Sequence, residues 1–204
     1  MADLVDDLFH AARVRSACDM TSFPRLADPL NDGRVALRDY EERDIPEILI
    51  AYQDDPRLHL LNREDRPPSG AELGSRAERE GDARRAGERV TLTVLEPGDD
   101  TFRGQIRVEN VDWDHRRAEL AIWLAPQMRG RGLGRAALRL AGAWLLTTSG
   151  LARIELLAEP DNQPMIRAAQ AAGFVREGVL REYQRKRGKG VDMVIMSLIE
   201  ADLR

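Results

Sequence analysis

The chain has 204 residues, enough for one domain with a sizeable core, and its 43% hydrophobic and 32% charged content is far from that of a disordered polypeptide. The net charge of −4 gives no basic excess for a nucleic-acid backbone, and the single cysteine, Cys18, excludes an intrachain disulfide. The acidic start MADLVDDLFHAARVR has no apolar secretory core, no stretch approaches the roughly 18 apolar residues of a membrane span, and His10, His59 and His115 are scattered, so a cytoplasmic protein without a metal site is expected.

Residues 1–33 read as an extension, with Leu4, Val5, Leu8, Phe9 and Ala12 at helical spacing, and residues 34–204 as the main domain. Val35–Tyr40 reads as a strand. Asp44 then reads as the N-cap of a helix with Pro46 in its first turn. A polar, proline-bearing loop from Asp54 to Gly70 leads into a charged helix, Ala71–Ala86, expected to be exposed on one side. Three strands follow, Arg89–Leu95, Phe102–Val111 and Arg117–Leu124. In the last, Leu120, Ile122 and Leu124 share one face, and Glu119, Ala121 and Trp123 the other. A long helix spans Leu133 to Thr148 and stops at Gly150. Strand Ala152–Ala158, a helix from Asn162 and Pro164 to Gly173, and the hairpin strands Phe174–Gln184 and Val191–Ile199 complete the chain. Hairpins combined with a strand–helix–strand unit indicate an α/β (α+β) domain with a mixed sheet.

The segment Arg129-Gly130-Arg131-Gly132-Leu133-Gly134 stands between a strand and a helix. Glycines let the backbone approach an anion, and the first amides of a helix have no internal partner, so this turn is a pyrophosphate cradle with Arg129, Arg131 and Arg135 around it. It lacks the Gly-Lys-Ser/Thr of a P-loop, and Arg135 occupies the place of the last glycine of a dinucleotide fingerprint. On residue type alone a plain tight turn remains the alternative.

With Asn162, Gly173-Phe174, Glu177-Gly178 and Met196-Ser197-Leu198 in order downstream of Arg129, Gly132 and Gly134, the chain resembles the GNAT superfamily of N-acetyltransferases, in particular its RimJ/RimL-like branch. Arg129, Gly132 and Gly134 fill that family's acyl-CoA loop, Arg/Gln-x-x-Gly-x-Gly/Ala. The downstream motifs follow in the family's order, and Ala118–Leu124 resembles the strand before the loop. The resemblance covers roughly residues 34 to 200. It implies a GNAT fold: a mixed, mostly antiparallel seven-stranded sheet flanked by helices, with splayed central strands. It also implies acetyl-CoA, or another acyl-CoA, as co-substrate. Backbone groups of Ala121, Ile122, Trp123 and Leu124 would hold pantetheine, with one amide polarising the thioester carbonyl. Gly130, Arg131, Gly132, Leu133, Gly134 and Arg135 would hold the pyrophosphate, and Asn162 either binds the cofactor or caps its helix.

The implied acceptor is a primary amine, at a protein N-terminus or on a small molecule, that attacks the thioester directly. Such an amine, with a pKa of about 10.4, arrives protonated, and the resemblance assigns its proton to Glu119, with Glu109 the second choice. A solvated Glu119, or one ion-paired with Arg116 or Arg117, is the competing reading. Where family members carry a Tyr or Ser acid this chain has Ala169 and Met165, which leaves the acid unassigned unless Tyr183 or Ser197 comes near. Tyr52, Trp113 and Trp123, with His59, Leu60, Leu61 and Asn62, are the candidate acceptor wall. The alternative function is an acyl-CoA-binding regulatory protein without turnover. The basic cluster Arg181, Arg185, Lys186, Arg187 and Lys189 reads as a solvated turn, or as an attractor of an acidic acceptor, rather than an RNA site. The final strands and the extension are candidate surfaces of a homodimer.

Overall fold

The computed structural model describes residues 21–186 and 188–203. The expected amphipathic helix of the extension, Cys18 and Arg187 lie outside them. In chain order the elements are β1 (Leu30–Asn31), β2 (Ala36–Asp39), α1 (Ile45–Asp54), α2 (Leu58–Leu61), α3 (Gly70–Arg85), β3 (Val90–Leu95), β4 (Gly104–Asp112) and β5 (Arg117–Leu124). Then come α4 (Leu133–Thr148), β6 (Arg153–Ala158), α5 (Gln163–Ala171), β7 (Val175–Lys186) and β8 (Lys189–Ile199). One sheet runs in the order β1-β2-β3-β4-β5-β6-β8-β7. Every neighbouring pair is antiparallel except β5–β6, which is parallel.

The sheet thus has eight strands where seven were expected. The additional one is β1, which pairs Leu30 with Leu37 and Asn31 with Ala36. Two residues leave no alternation to read. The turn behind it is held by side chains: Asn31 Oδ1 accepts from the Gly33 amide at 2.7 Å and Asp32 Oδ1 from the Val35 amide at 3.0 Å.

Asp44 stands at the N-cap position of α1 as expected, but its side chain makes no cap bond to that helix. Its backbone is already helical (φ −79°, ψ −14°), because a 3₁₀ turn over Glu42–Asp44 precedes α1. Its carboxylate turns inward, accepts from Arg38 Nη2 at 2.6 Å and Nη1 at 2.9 Å, and from Thr93 Oγ1 at 2.6 Å. Burial pushes the Arg38 guanidinium down, but Asp44 and Asp100 outweigh it and hold it above its ordinary range.

The charged helix α3 also does more than face water. Glu80 and Arg84 are buried on it. Glu80 accepts from the Thr91 amide at 2.5 Å and from Thr91 Oγ1 at 3.0 Å. Arg84 reaches Asp39 at 2.5 Å and the carbonyl of Phe23 at 3.2 Å. Buried charge is tolerated because each group is matched. Phe23, buried against Trp113 at 5.4 Å between ring centres, fastens the described part of the extension to the domain.

The helix α4 is rich in Leu and Ala, good helix formers, and runs between Gly132 and Gly150, both at φ +81°. Its buried stripe includes Ala137, Leu138, Ala141 and Leu145. At Gly142 a Cβ would lie 2.5 Å from Leu198 Cδ2, so the helix lies unusually close to β8. This packing fixes its N-terminus at the end of β5.

Candidate active site

Strand β4 pairs with β5 from Glu109–Glu119 to Gly104–Leu124, whereas β6 pairs with β5 only over Arg117–Glu119. Beyond that point β6 continues on β8 alone, through Leu156, Leu157 and Ala158. The two strands therefore part, and the edge of Leu120–Leu124 that would have met β6 is left without a strand, facing a cleft of about 760 Å³. That volume is in the usual range for small-molecule sites. Backbone groups at such an edge call for partners.

The cleft runs onto the turn before α4. Gly130 (φ +73°) and Gly132 (φ +81°) adopt the left-handed conformation, and a Cβ at either would meet nothing within 4 Å. The requirement for glycine is thus conformational, and the space above the turn is open. Ile122, Trp123, Leu124, Arg129, Gly130, Gly132, Gly134, Arg135 and Asn162 all wall the cleft. Arg131 and Leu133 do not. Arg131 turns to Glu96 at 3.0 Å and to Met128 Sδ at 3.3 Å, and with the buried Leu133 it lines a separate, smaller hollow. Arg129 is a tether: its Nε donates to the Leu124 carbonyl at 3.0 Å and its Nη1 to Asp55 at 2.7 Å. Arg135, and Arg167 from α5, reach the cleft with no ion-pair partner among the described residues. Asn162 Oδ1 accepts from the Met165 amide at 3.3 Å, so it caps α5 while lining the cleft.

Glu119 lies where the two strands part, and it is 6% exposed. Its partner is neither Arg116 nor Arg117. Arg63 Nη2 donates to one carboxylate oxygen at 2.7 Å and Asn110 Nδ2 to the other at 2.9 Å. Asn110 is at φ +53° in a bulge of β4, which re-aims its amide. Arg63, at φ +60° after α2, lines the cleft and caps the carboxylate. With its amide turned so that the oxygen faces these donors, Gln184 accepts from the same guanidinium at 3.1 Å. None of these partners was legible in the sequence, because Arg63 and Glu119 meet 56 positions apart. Glu109 is the cross-strand partner of Glu119 but does not line the cleft.

The opposite wall is Leu60, Leu61, Asn62, Arg63, Glu64 and Asp65, with Arg107 from β4. His59 and Trp113 do not take part; the Trp113 indole donates to the Gly87 carbonyl at 2.9 Å. Tyr52 packs behind Trp123 at 6.0 Å, donates to Glu64 at 2.6 Å and accepts from Asn62 Nδ2 at 2.9 Å. Its phenol is pushed well above the ordinary range, by burial first and by Glu64 next, with Asn62 and Arg107 opposing. It is a structural strut in this state.

Neither candidate hydroxyl reaches the cleft. Tyr183 is exposed on β7, and Ser197 is buried, donating to Glu177 at 2.6 Å. Arg153 first, and Ser197 next, pull the Glu177 carboxyl down to about 2. Its folded value is depressed, so its stabilisation is present above the ordinary value of 4.5 and disappears as pH falls toward about 2. The group is partly exposed, so the contribution is below ~1 kcal/mol. Thermal unfolding of wild type and Glu177→Gln should therefore differ slightly at neutral pH, and the gap should close over that acidic window. A gap that widens with acid would contradict the assignment.

A family model described as an acetyltransferase (GNAT) domain matches residues 34–175. Among curated relatives, an uncharacterized N-acetyltransferase, p20, of Bacillus licheniformis is 24% identical over 175 residues, covering 86% of this chain and 98% of that protein. Among solved structures, the spermidine N-acetyltransferase of Vibrio cholerae in complex with CoA and spermine has a TM-score of 0.70 at 22% identity, over 84% of this chain and 99% of that chain. Mycobacterium smegmatis RimJ in complex with CoA-disulfide has a TM-score of 0.69 at 24% identity, over 86% and 88%. No helix among the described residues is long and apolar enough to cross a membrane.

Proposed function

The chain belongs to the GNAT acetyltransferase family, and from that premise we propose that it moves an acetyl group from acetyl-CoA to a primary amine, either a protein N-terminus or a small molecule. One observation carries the reading: the gap between β5 and β6 and the glycine turn before α4 form a single continuous cleft. Pantetheine lies along Ala121–Leu124 in this reading, the pyrophosphate on the amides of Gly130, Gly132 and Gly134, and Arg135 and Arg167 face the remaining phosphate charge. Arg131 and Leu133 take no direct part.

The amine nitrogen attacks the thioester carbonyl, the N–C bond forms, the C–S bond breaks, and CoA leaves as a thiolate that takes up the second proton, shed by the acylated nitrogen. A backbone amide of the open β5 edge stabilises the carbonyl oxygen as charge develops there. Glu119 takes the proton of the arriving ammonium, which replaces the Arg63 guanidinium at the carboxylate: one cation is exchanged for another. A thiolate with an ordinary pKa of about 8.5 departs without a dedicated acid, in keeping with Ala169 and Met165.

Gly132→Glu tests the phosphate half of the reading. A carboxylate in the open space above the turn repels phosphate, and acetyl-CoA affinity should fall by about 100-fold or more in calorimetry. Unchanged affinity, in a variant that still unfolds cooperatively, would remove the turn from the cofactor site.

A further inference from the structure

Arg107 was not singled out by its position in the sequence, where it is one arginine in an alternating strand. On β4 it is the cross-strand partner of Ala121 and the diagonal neighbour of Glu119, on the same face of the sheet. Its side chain lines the cleft. Its Nε is buried and has no hydrogen-bond partner, and no carboxylate pairs with it among the described residues.

Away from Arg135 and Arg167 by the glycine turn, and Arg185 at the exposed hairpin, the other cations of the cleft wall are matched by carboxylates. Arg63 pairs with Glu119 at 2.7 Å, Arg76 with Glu64 at 2.6 Å and Lys186 with Glu159 at 2.7 Å. Arg185, at the exposed hairpin, donates to the Gly188 carbonyl at 3.3 Å. The carboxylates on this side are equally occupied, leaving Asp65 at the exposed lip. A polyamine needs carboxylates to receive its distal ammonium groups, and this wall offers few. It offers instead a half-buried guanidinium, whose planar fork matches a carboxylate.

We infer that Arg107 selects an acceptor that carries a carboxylate close to its amine, a small amino-acid-like molecule rather than a polyamine. The inference rests on the acyl-transfer reading above. Diagonal positions on neighbouring strands are ~7–8 Å apart, so the amine is placed at Glu119 and the carboxylate at Arg107 by the sheet itself.

The test uses the full chain with acetyl-CoA, reading thiol release with the free amino acids, their carboxamides and spermidine as acceptors. At least one amino acid should be turned over with kcat/KM about 10-fold or more above its own carboxamide. Arg107→Gln should lower kcat/KM for the acid by about 10- to 100-fold and leave the carboxamide unchanged, with acetyl-CoA affinity unaltered. Preference for spermidine or the carboxamides would overturn the inference. So would an equal loss on both substrates in Arg107→Gln, or no turnover of any carboxylate-bearing amine while acetyl-CoA still binds. Failure to bind acetyl-CoA at all would instead sink the reading on which this one stands.

Discussion

Asp44→Ala is expected to lower the unfolding free energy by about 3–5 kcal/mol, the largest stability effect of any single exchange considered for this chain. Asp44 is 2% exposed and takes four donors, two from Arg38 and one each from Thr93 and the Glu41 amide. Removing the carboxylate leaves the Arg38 guanidinium buried with half its neutralising charge, since Asp100 holds only Nε. The hydroxyl of Thr93 loses its acceptor as well. Asp44→Asn keeps the shape and removes the charge, so it should fall between the two. Urea unfolding of the three proteins measures the series. A loss of ~1 kcal/mol for Asp44→Ala would match a helix cap and return Asp44 to the role that its sequence position proposes.

Glu119→Gln is expected to reduce kcat by about 10²- to 10⁴-fold while leaving acetyl-CoA affinity unchanged. The amide keeps a hydrogen bond to Asn110 or Arg63 but cannot accept a proton from an ammonium. The split between turnover and cofactor binding matters, because a merely structural Glu119 would disturb both through the β4–β5 pairing. Arg63→Gln is the companion variant: with the capping cation gone, the carboxylate is open to the cleft, and the KM for the amine should fall. Single-turnover kinetics would read both. An unchanged rate in Glu119→Gln removes this residue from the chemistry.

The parts of the fold that were legible are those whose signal is local. Arg117–Leu124 and Leu133–Thr148 could be bounded from alternation and from the glycines at each end of the helix, and both fall where they were expected. The glycine turn was legible because φ constraints act on the residues themselves, whereas the parting of strands beside it was expected only from the family resemblance. What was hidden depends on contacts across the sheet. Asp44 has the residue type of a cap, and only the arrival of Arg38 and Thr93 from β2 and β3 draws it inside. Arg131 sits inside the turn, between Gly130 and Gly132, yet Glu96 just after β3 draws its side chain away from the cleft. The partners of Glu119 come from a loop and a bulge that have no periodicity to betray them, and Arg107 reads as one more outward residue of an alternating strand until the cleft beside it is known.

The most direct test of the account is calorimetry of the whole chain with acetyl-CoA, with desulfo-CoA and NAD as comparisons. Both CoA species are expected to bind at micromolar strength, and NAD much more weakly, because NAD shares the pyrophosphate but has no pantetheine to fill the gap between β5 and β6. No binding of acetyl-CoA, or equal binding of NAD, would contradict the account.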